Sequence, residues 1–190
     1  MSWSNNISSV RTKLVKFNAP AAASATAITA AFGGEIVNND PTNLGVAITQ
    51  PVVPRNVSAT FGANWGAANH IKVYGTDQFT TAITETLNSN PGGVTTGTKC
   101  FATITKITKT LTDAVDATNI CSIGIGVKLG IMDSLGNPLY LADNFGSGHL
   151  VGTGFDAPTL DTTLNTVSFA TAPNGARIWH LIINVTAVSP

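Results

Sequence analysis

The stretch "IKVYGTDQFTTAITETL" (residues 71–87) decides how the chain is read. Ile71 and Val73 alternate with Lys72 and Tyr74, the period of a strand whose two faces meet different surroundings. A short turn-forming segment follows, and Ala82 to Leu87 runs on as a second, Thr-rich stretch. Together they make a β-hairpin with one wet face. Such strands frame either a pocket for chemistry or a surface for contact, and the rest of the sequence has to choose between them.

Composition bounds the choice. The 190 residues suffice for one substantial core, or for one domain with an extended arm. Hydrophobic residues make up 43%, which sets the chain apart from disordered sequences. Charged residues are only 11%, less than half of the roughly 25% usual in soluble domains. A surface so poor in charge is coated with Thr, Ser and Asn or covered by neighbours. The formal net charge is zero, without the basic excess that a sequence-independent phosphate binder needs. No nucleic-acid partner and no membrane partner is expected. "AAASATAITAAF" (21–32) is too short and too Thr-rich to span a bilayer. The start, "MSWSNNISSVRTKLVKF", lacks a secretory leader, so a protein made in a cytoplasm is expected. Cys100 and Cys121 make no disulfide framework and read as two half-buried thiols.

Along the chain, residues 1–50 differ from the rest. "VRTKLVKF" (10–17) alternates like a strand and carries Arg11, Lys13 and Lys16, the densest basic patch in the sequence. The Ala-rich run and "GGEIVNNDPTNLG" follow. These residues read as an extended N-terminal arm, with a short helix over the Ala run as the alternative. From "PVVPRNV" (51–57) onward the pattern is β, with the two prolines leading into it. "NSNPGGVTTG" (88–97) reads as a loop and "KCFATITKITKTL" (99–111) as one long strand. "ICSIGIGVKLGIM" (120–132) reads as a strand whose glycines mark bulges or close backbone approach. "ARIWHLIINVTAV" (176–188), the most apolar strand, is expected to be central. Short strands without a sustained helical period predict an all-β fold, a β-sandwich or jelly-roll-like domain over 51–190 with an arm over 1–50.

Chemistry leaves little trace. His70, His149 and His180 have no ligand spacing to one another or to cysteine, and no metal or cofactor is expected. "IGIGVKLG" and "FGSGHLVGTG" lack the strand–loop–helix setting and the Gly-Lys-Ser/Thr ending of a phosphate cradle. Asp113, Asp116, Asp133 and Asp143 sit in turn-like contexts, and Glu35 and Glu85 form no motif-marked pair. Lys72 and Glu85 read as solvent-face or interface residues. Trp65, in the Gly-rich "GANWGAAN", is the candidate interface or glycan-stacking aromatic, with Tyr74 and Tyr140 beside it in a carbohydrate reading. No catalytic residue stands out, and the expectation is a protein that is not an enzyme.

The order of "PVVPRNV", "IKVYGTD", "AITETL", "GTKCFATITKIT", "SIGIGVKLGI" and "APNGARIWHLIINV" resembles small capsid decoration, or cement, proteins of tailed bacteriophages and related virion components. The resemblance covers residues 51–190 and leaves the arm outside it. It implies a β-rich homotrimer on the capsid exterior, clamping neighbouring subunits of the major capsid protein, with no catalysis and no cofactor. An arm carrying Arg11, Lys13 and Lys16 would then add a strand to a neighbour's sheet and meet an acidic capsid surface. The alternatives are a carbohydrate- or receptor-binding β-sandwich module and a tail or neck component of the virion.

Overall fold

The structure, a computed structural model, describes residues 10–33, 47–110, 120–133, 141–145 and 159–186. Its regular elements are all strands: β1 (Val10–Phe17), β2 (Ser24–Gly33), β3 (Arg55–Phe61), β4 (His70–Thr76), β5 (Ala82–Asn88) and β6 (Val94–Phe101) in the first half. The second half supplies β7 (Thr103–Thr110), β8 (Ile120–Gly130), β9 (Leu141–Phe145), β10 (Thr159–Asp161), β11 (Thr166–Ser168) and β12 (Ile178–Thr186). The pairings are antiparallel, and the all-β fold is compatible with the expected sandwich or jelly roll.

The alternation in 71–87 becomes the β4–β5 hairpin, in register from His70 opposite Asn88 to Thr76 opposite Ala82. Asp77 fixes its turn: Oδ1 accepts the Phe79 and Thr81 N–H groups at 2.8 and 2.9 Å. Ile71 and Val73 are fully buried, while Lys72 and Tyr74 lie on the opposite, partly exposed face. On its other edge β4 pairs with β7, which gives a sheet in the order β5-β4-β7. A second sheet is built around β8, whose one edge pairs with β3 and, beyond it, β6. Its other edge is shared: β2 takes the first half, and β11 pairs at Leu129 and Gly130, with β10 outside it. In the third sheet β12 lies between β1 and β9, the central place expected of the last strand.

Two apolar cores result. The first, with Ile28, Val57, Phe61, Trp65, Val73, Phe101, Ile107 and Ile123, fills the space between the β8 sheet and β5-β4-β7. The second joins the far end of β8 and β11 to β1 and β12, through Phe17, Leu129, Val167, Phe169, Trp179 and Leu181. β8 serves both, with Ile125 in the first core and Leu129 in the second.

Three segments differ from expectation. Residues 10–33, expected within an extended arm, are strands of the sheets, with β1 paired along its whole length to β12 and β2 to β8. Burial is the reason: Phe17 and Ile28 are 6% and 1% exposed, one in each core. The Ala-rich run is accordingly a strand and not a helix. The loop expected over 88–97 is shorter, because β6 begins at Val94. The long strand expected over 99–111 is two, since the chain leaves the β8 sheet and enters β5-β4-β7 at Ala102, whose N–H is held by the Thr76 carbonyl at 2.8 Å. Of the expected arm, residues 1–9 and 34–46 lie outside the described residues, while 47–50 are described and belong to no strand.

Candidate contact surface

Several polar side chains that point inward, Arg55, Asn56, Glu85 and Gln50 among them, satisfy backbone groups where ladders break. Opposite Val57, both neighbours of β3 bulge. In β8 the register jumps from Leu129 to Ile125 across Gly126–Lys128, and in β6 from Cys100 to Thr96 across 97–99. Asn56 joins the two bulges, donating from Nδ2 to the Gly97 carbonyl at 2.8 Å and accepting the Lys128 N–H on Oδ1 at 2.9 Å. Arg55, 1% exposed, donates from Nε to the Gly126 carbonyl at 3.0 Å and from Nη1 to the Ala21 carbonyl at 2.8 Å. Burial lowers its pKa, and its N–H groups donate hydrogen bonds to carbonyl oxygens.

Glu85 shares the inward face of β5 with Leu87, and its Oε1 accepts the Thr98 and Lys99 N–H groups at 2.6 and 3.2 Å. Glu85, expected as a solvent-face or interface residue, thus serves the sheet seam from the inward face. A Cβ on Gly97 would lie 2.2 Å from Glu85 Oε2, so only glycine leaves room for the carboxylate. Lys99 Nζ donates to the Thr84 carbonyl at 2.8 Å and Thr95 Oγ1 to that of Asn88 at 2.7 Å, so side chains close the seam between β5 and β6. On the opposite side Gln50 caps β7 as a strand would. Its Oε1 accepts the Ile104 N–H at 2.8 Å and its Nε2 donates to the Ile104 carbonyl at 2.9 Å. The adjacent Thr49 N–H donates to the Ile28 carbonyl of β2 at 2.7 Å. These contacts close the first core along the β5–β6 seam and at β7.

Cys100 and Cys121 are free, buried thiols, each pushed up to about 12 chiefly by burial. At neutral pH they are protonated and poor nucleophiles. Among the described residues no group of three or more His, Cys, Asp or Glu side chains is placed to hold a metal ion, and no helix is long and apolar enough to cross a membrane.

The basic residues of the expected arm do not form one patch. Lys13 and Lys16 occupy opposite faces of β1, as strand alternation requires. Lys13 pairs with Asp133 at 2.6 Å, and Lys16 lies opposite His180 in the β1–β12 register. Arg11 takes its register place opposite Val185, and its side chain lies outside the described part. Trp65, expected as an interface or glycan-stacking aromatic, is a core residue in the structure. It is 1% exposed and meets Phe61 edge-on at 5.2 Å, so it offers no open face to a sugar or a partner. The Gly-rich loop that suggested exposure instead folds the ring inward, with Trp65 N–H donating to the Gly62 carbonyl. His149, Tyr140, Asp113, Asp116 and Glu35 lie outside the described residues.

Two surfaces remain. A cleft of about 300 Å³ on the outer side of the β8 sheet is lined by Ser24, Ser58, Thr60 and Thr96 together with Val94 and Val127. The second is the outward face of β5-β4-β7, ordered in cross-strand rows: Thr86–Lys72–Thr108, Thr84–Tyr74–Lys106 and Asn88–His70–Thr110, with Thr108 itself buried. At its centre Lys72 Nζ and Lys106 Nζ sit 5.3 and 5.5 Å from the Tyr74 ring centroid. No family model matches the chain, and neither a curated protein nor a solved structure matches it.

Proposed function

We propose that the protein is a virion structural protein, a capsid decoration (cement) protein with a β-sandwich or jelly-roll-like body. In this reading it binds the outside of a phage head as a homotrimer and stabilises contacts between major capsid subunits, without catalysis or cofactor. The observation that carries it is where the inward polar groups go. Asn56, Glu85, Gln50 and Arg55 are spent on backbone atoms that lock the sheets together, which favours a stiff body whose outer faces do the work. The charge-poor sequence and the Thr-rich outward sheet face support contact with a large partner. The sequence resemblance points the same way. Mixing the purified chain with expanded, undecorated phage heads tests it: saturable binding at many copies per particle is expected. A strict monomer that sediments apart from the heads overturns it.

A glycan-binding module is the second reading, now carried by the four hydroxyl side chains of a mostly apolar cleft and not by Trp65. Hits on a glycan array that vanish on Thr96→Trp, which fills the cleft, would favour it over the first.

A further inference from the structure

The outward face of β5-β4-β7 gathers two cations on one aromatic ring. Lys106 is the cross-strand neighbour of Tyr74, and Lys72 precedes Tyr74 by two positions on the same face of β4. Both ammonium groups lie within 5.5 Å of one ring centroid. Each ammonium gains from the ring face, and a carboxylate placed across the sheet face from a lysine would add to that. Here the positions opposite Lys72 are Thr86 and Thr108, and the one opposite Lys106 is Tyr74 itself.

The carboxylates whose side chains are described are committed elsewhere. Asp77 holds the hairpin turn, Glu85 the β6 bulge, Asp133 the Lys13 ammonium, and Asp161 the N–H groups of Thr163 and Leu164. In a chain where charge is scarce, two cations gathered on one ring, with no ion pair to either among the described residues, point to a face that a partner's carboxylates would complete.

We propose that this face docks on an acidic protein surface, with Lys72 and Lys106 each meeting a carboxylate and the Tyr74 ring packed between them. The chemistry favours a protein over a nucleic acid. Two cations neutralise few phosphates, and the face is a pleated sheet of threonines, suited to lie against another folded surface. A tyrosine framed by polar neighbours is the arrangement of an interface anchor. The inference rests on the proposed shell function only for the identity of the partner, a major capsid subunit.

The test has two arms. In the first, a glutamate-rich peptide is titrated into the full chain and followed by amide NMR shifts. Shifts centred on 70–76, 84–86 and 104–108 are expected, weakened about tenfold in K72Q/K106Q and suppressed by about 0.5 M salt. Shifts elsewhere, an equal response to a glutamine peptide of the same length, or tighter binding of a single-stranded oligonucleotide of equal charge overturns it. In the second arm, wild type and K72E/K106E are compared on expanded heads, with matched thermal midpoints as the folding control. Loss of binding in the variant supports the face, and equal binding overturns it while leaving the shell reading standing. Failure of wild type to bind heads, with the peptide arm positive, removes the shell reading and keeps the face.

Discussion

The two cores are built on opposite plans although one strand runs through both. Around the first, side chains take over wherever strands end: Gln50 caps β7, and Glu85, Lys99 and Thr95 close β5 against β6. The second is closed by distant parts of the chain. β1 meets β12 from the opposite end of the sequence, and among the described residues the outer edges of β1 and β9 carry no further strand. The first core thus depends on polar clamps over its seams, whereas the second depends on apolar packing between the chain's two ends. The joint is the double bulge at Arg55–Val57, where β8 passes from one core to the other.

The sharpest way to break the comparison is to cut the second core and watch the first. Trp179 is fully buried and stacks on Phe169 with centroids 4.2 Å apart. Trp179→Ala, in a Trp3→Phe background, is expected to cost about 3–5 kcal/mol. Because β8 is shared, Trp65 fluorescence in the first core should report that loss as a lowered urea midpoint. If the Trp65 transition stays put, the two cores are independent units and the joint carries no coupling.

The joint itself comes next. Asn56→Ala removes both bonds and leaves the Gly97 carbonyl and Lys128 N–H without a partner inside the sheet, an expected cost of about 2–4 kcal/mol. A loss below about 1 kcal/mol would mean that the bulges stand without the clamp, as water or small shifts repair them.

Alkaline pH separates the regions by a different route. Cys121 lies in the first core and Cys100 beside the joint, and both are held up to about 12 by burial. Their unfolded thiols titrate at about 8.5. Below that pH both states are protonated and nothing is lost. Above it the unfolded chain sheds protons that the native state keeps, so stability falls until the native values near 12 are passed. The slope approaches about 1.4 kcal/mol per pH unit for each thiol. Lys109, lowered by burial, works in the opposite sense as pH rises toward its unfolded value, and offsets part of the fall. Cys100→Ala with Cys121→Ala should flatten the alkaline limb of a denaturation series; an unchanged limb would place the sensitivity elsewhere.

What the sequence disclosed follows the same division. The β4–β5 hairpin was legible because its signals are local: alternation by twos and an Asp-led turn. The glycines of β8 were legible as close approach, and a Cβ on Gly124 would indeed lie 1.8 Å from the Ser24 carbonyl oxygen. The partner of "VRTKLVKF" was not legible, since alternation shows that a strand has a buried face but not which strand buries it. The same limit hid Trp65, whose Gly-rich setting marks a loop without showing that the loop folds back. Gln50 and Glu85 gave no signal at all, because each acts on backbone brought near by the tertiary fold, across 54 and about 13 residues of sequence. For the contact face, the residues of β4 were in view from the start, but the gathering of Lys72 and Lys106 on one ring needed the β4–β7 register.

The smallest effect tests whether charge contributes to the second core. Lys13 and Asp133 form the ion pair found among the described residues, at 2.6 Å, with side chains 53% and 21% exposed. Water screens a pair so open, and fixing the lysine costs side-chain entropy, so a double-mutant cycle with Lys13→Ala and Asp133→Ala should give a coupling below about 1 kcal/mol. Moderate salt should erase it, because exposed charges are screened over about 8–10 Å. A larger coupling that survives salt would show that β1 is held to the far end of β8 by charge as well as by Phe17 and Val15. The second core would then rely on a polar clamp as the first does, and the contrast between the two would narrow to the source of the clamp: a neighbouring backbone in one, a distant ion in the other.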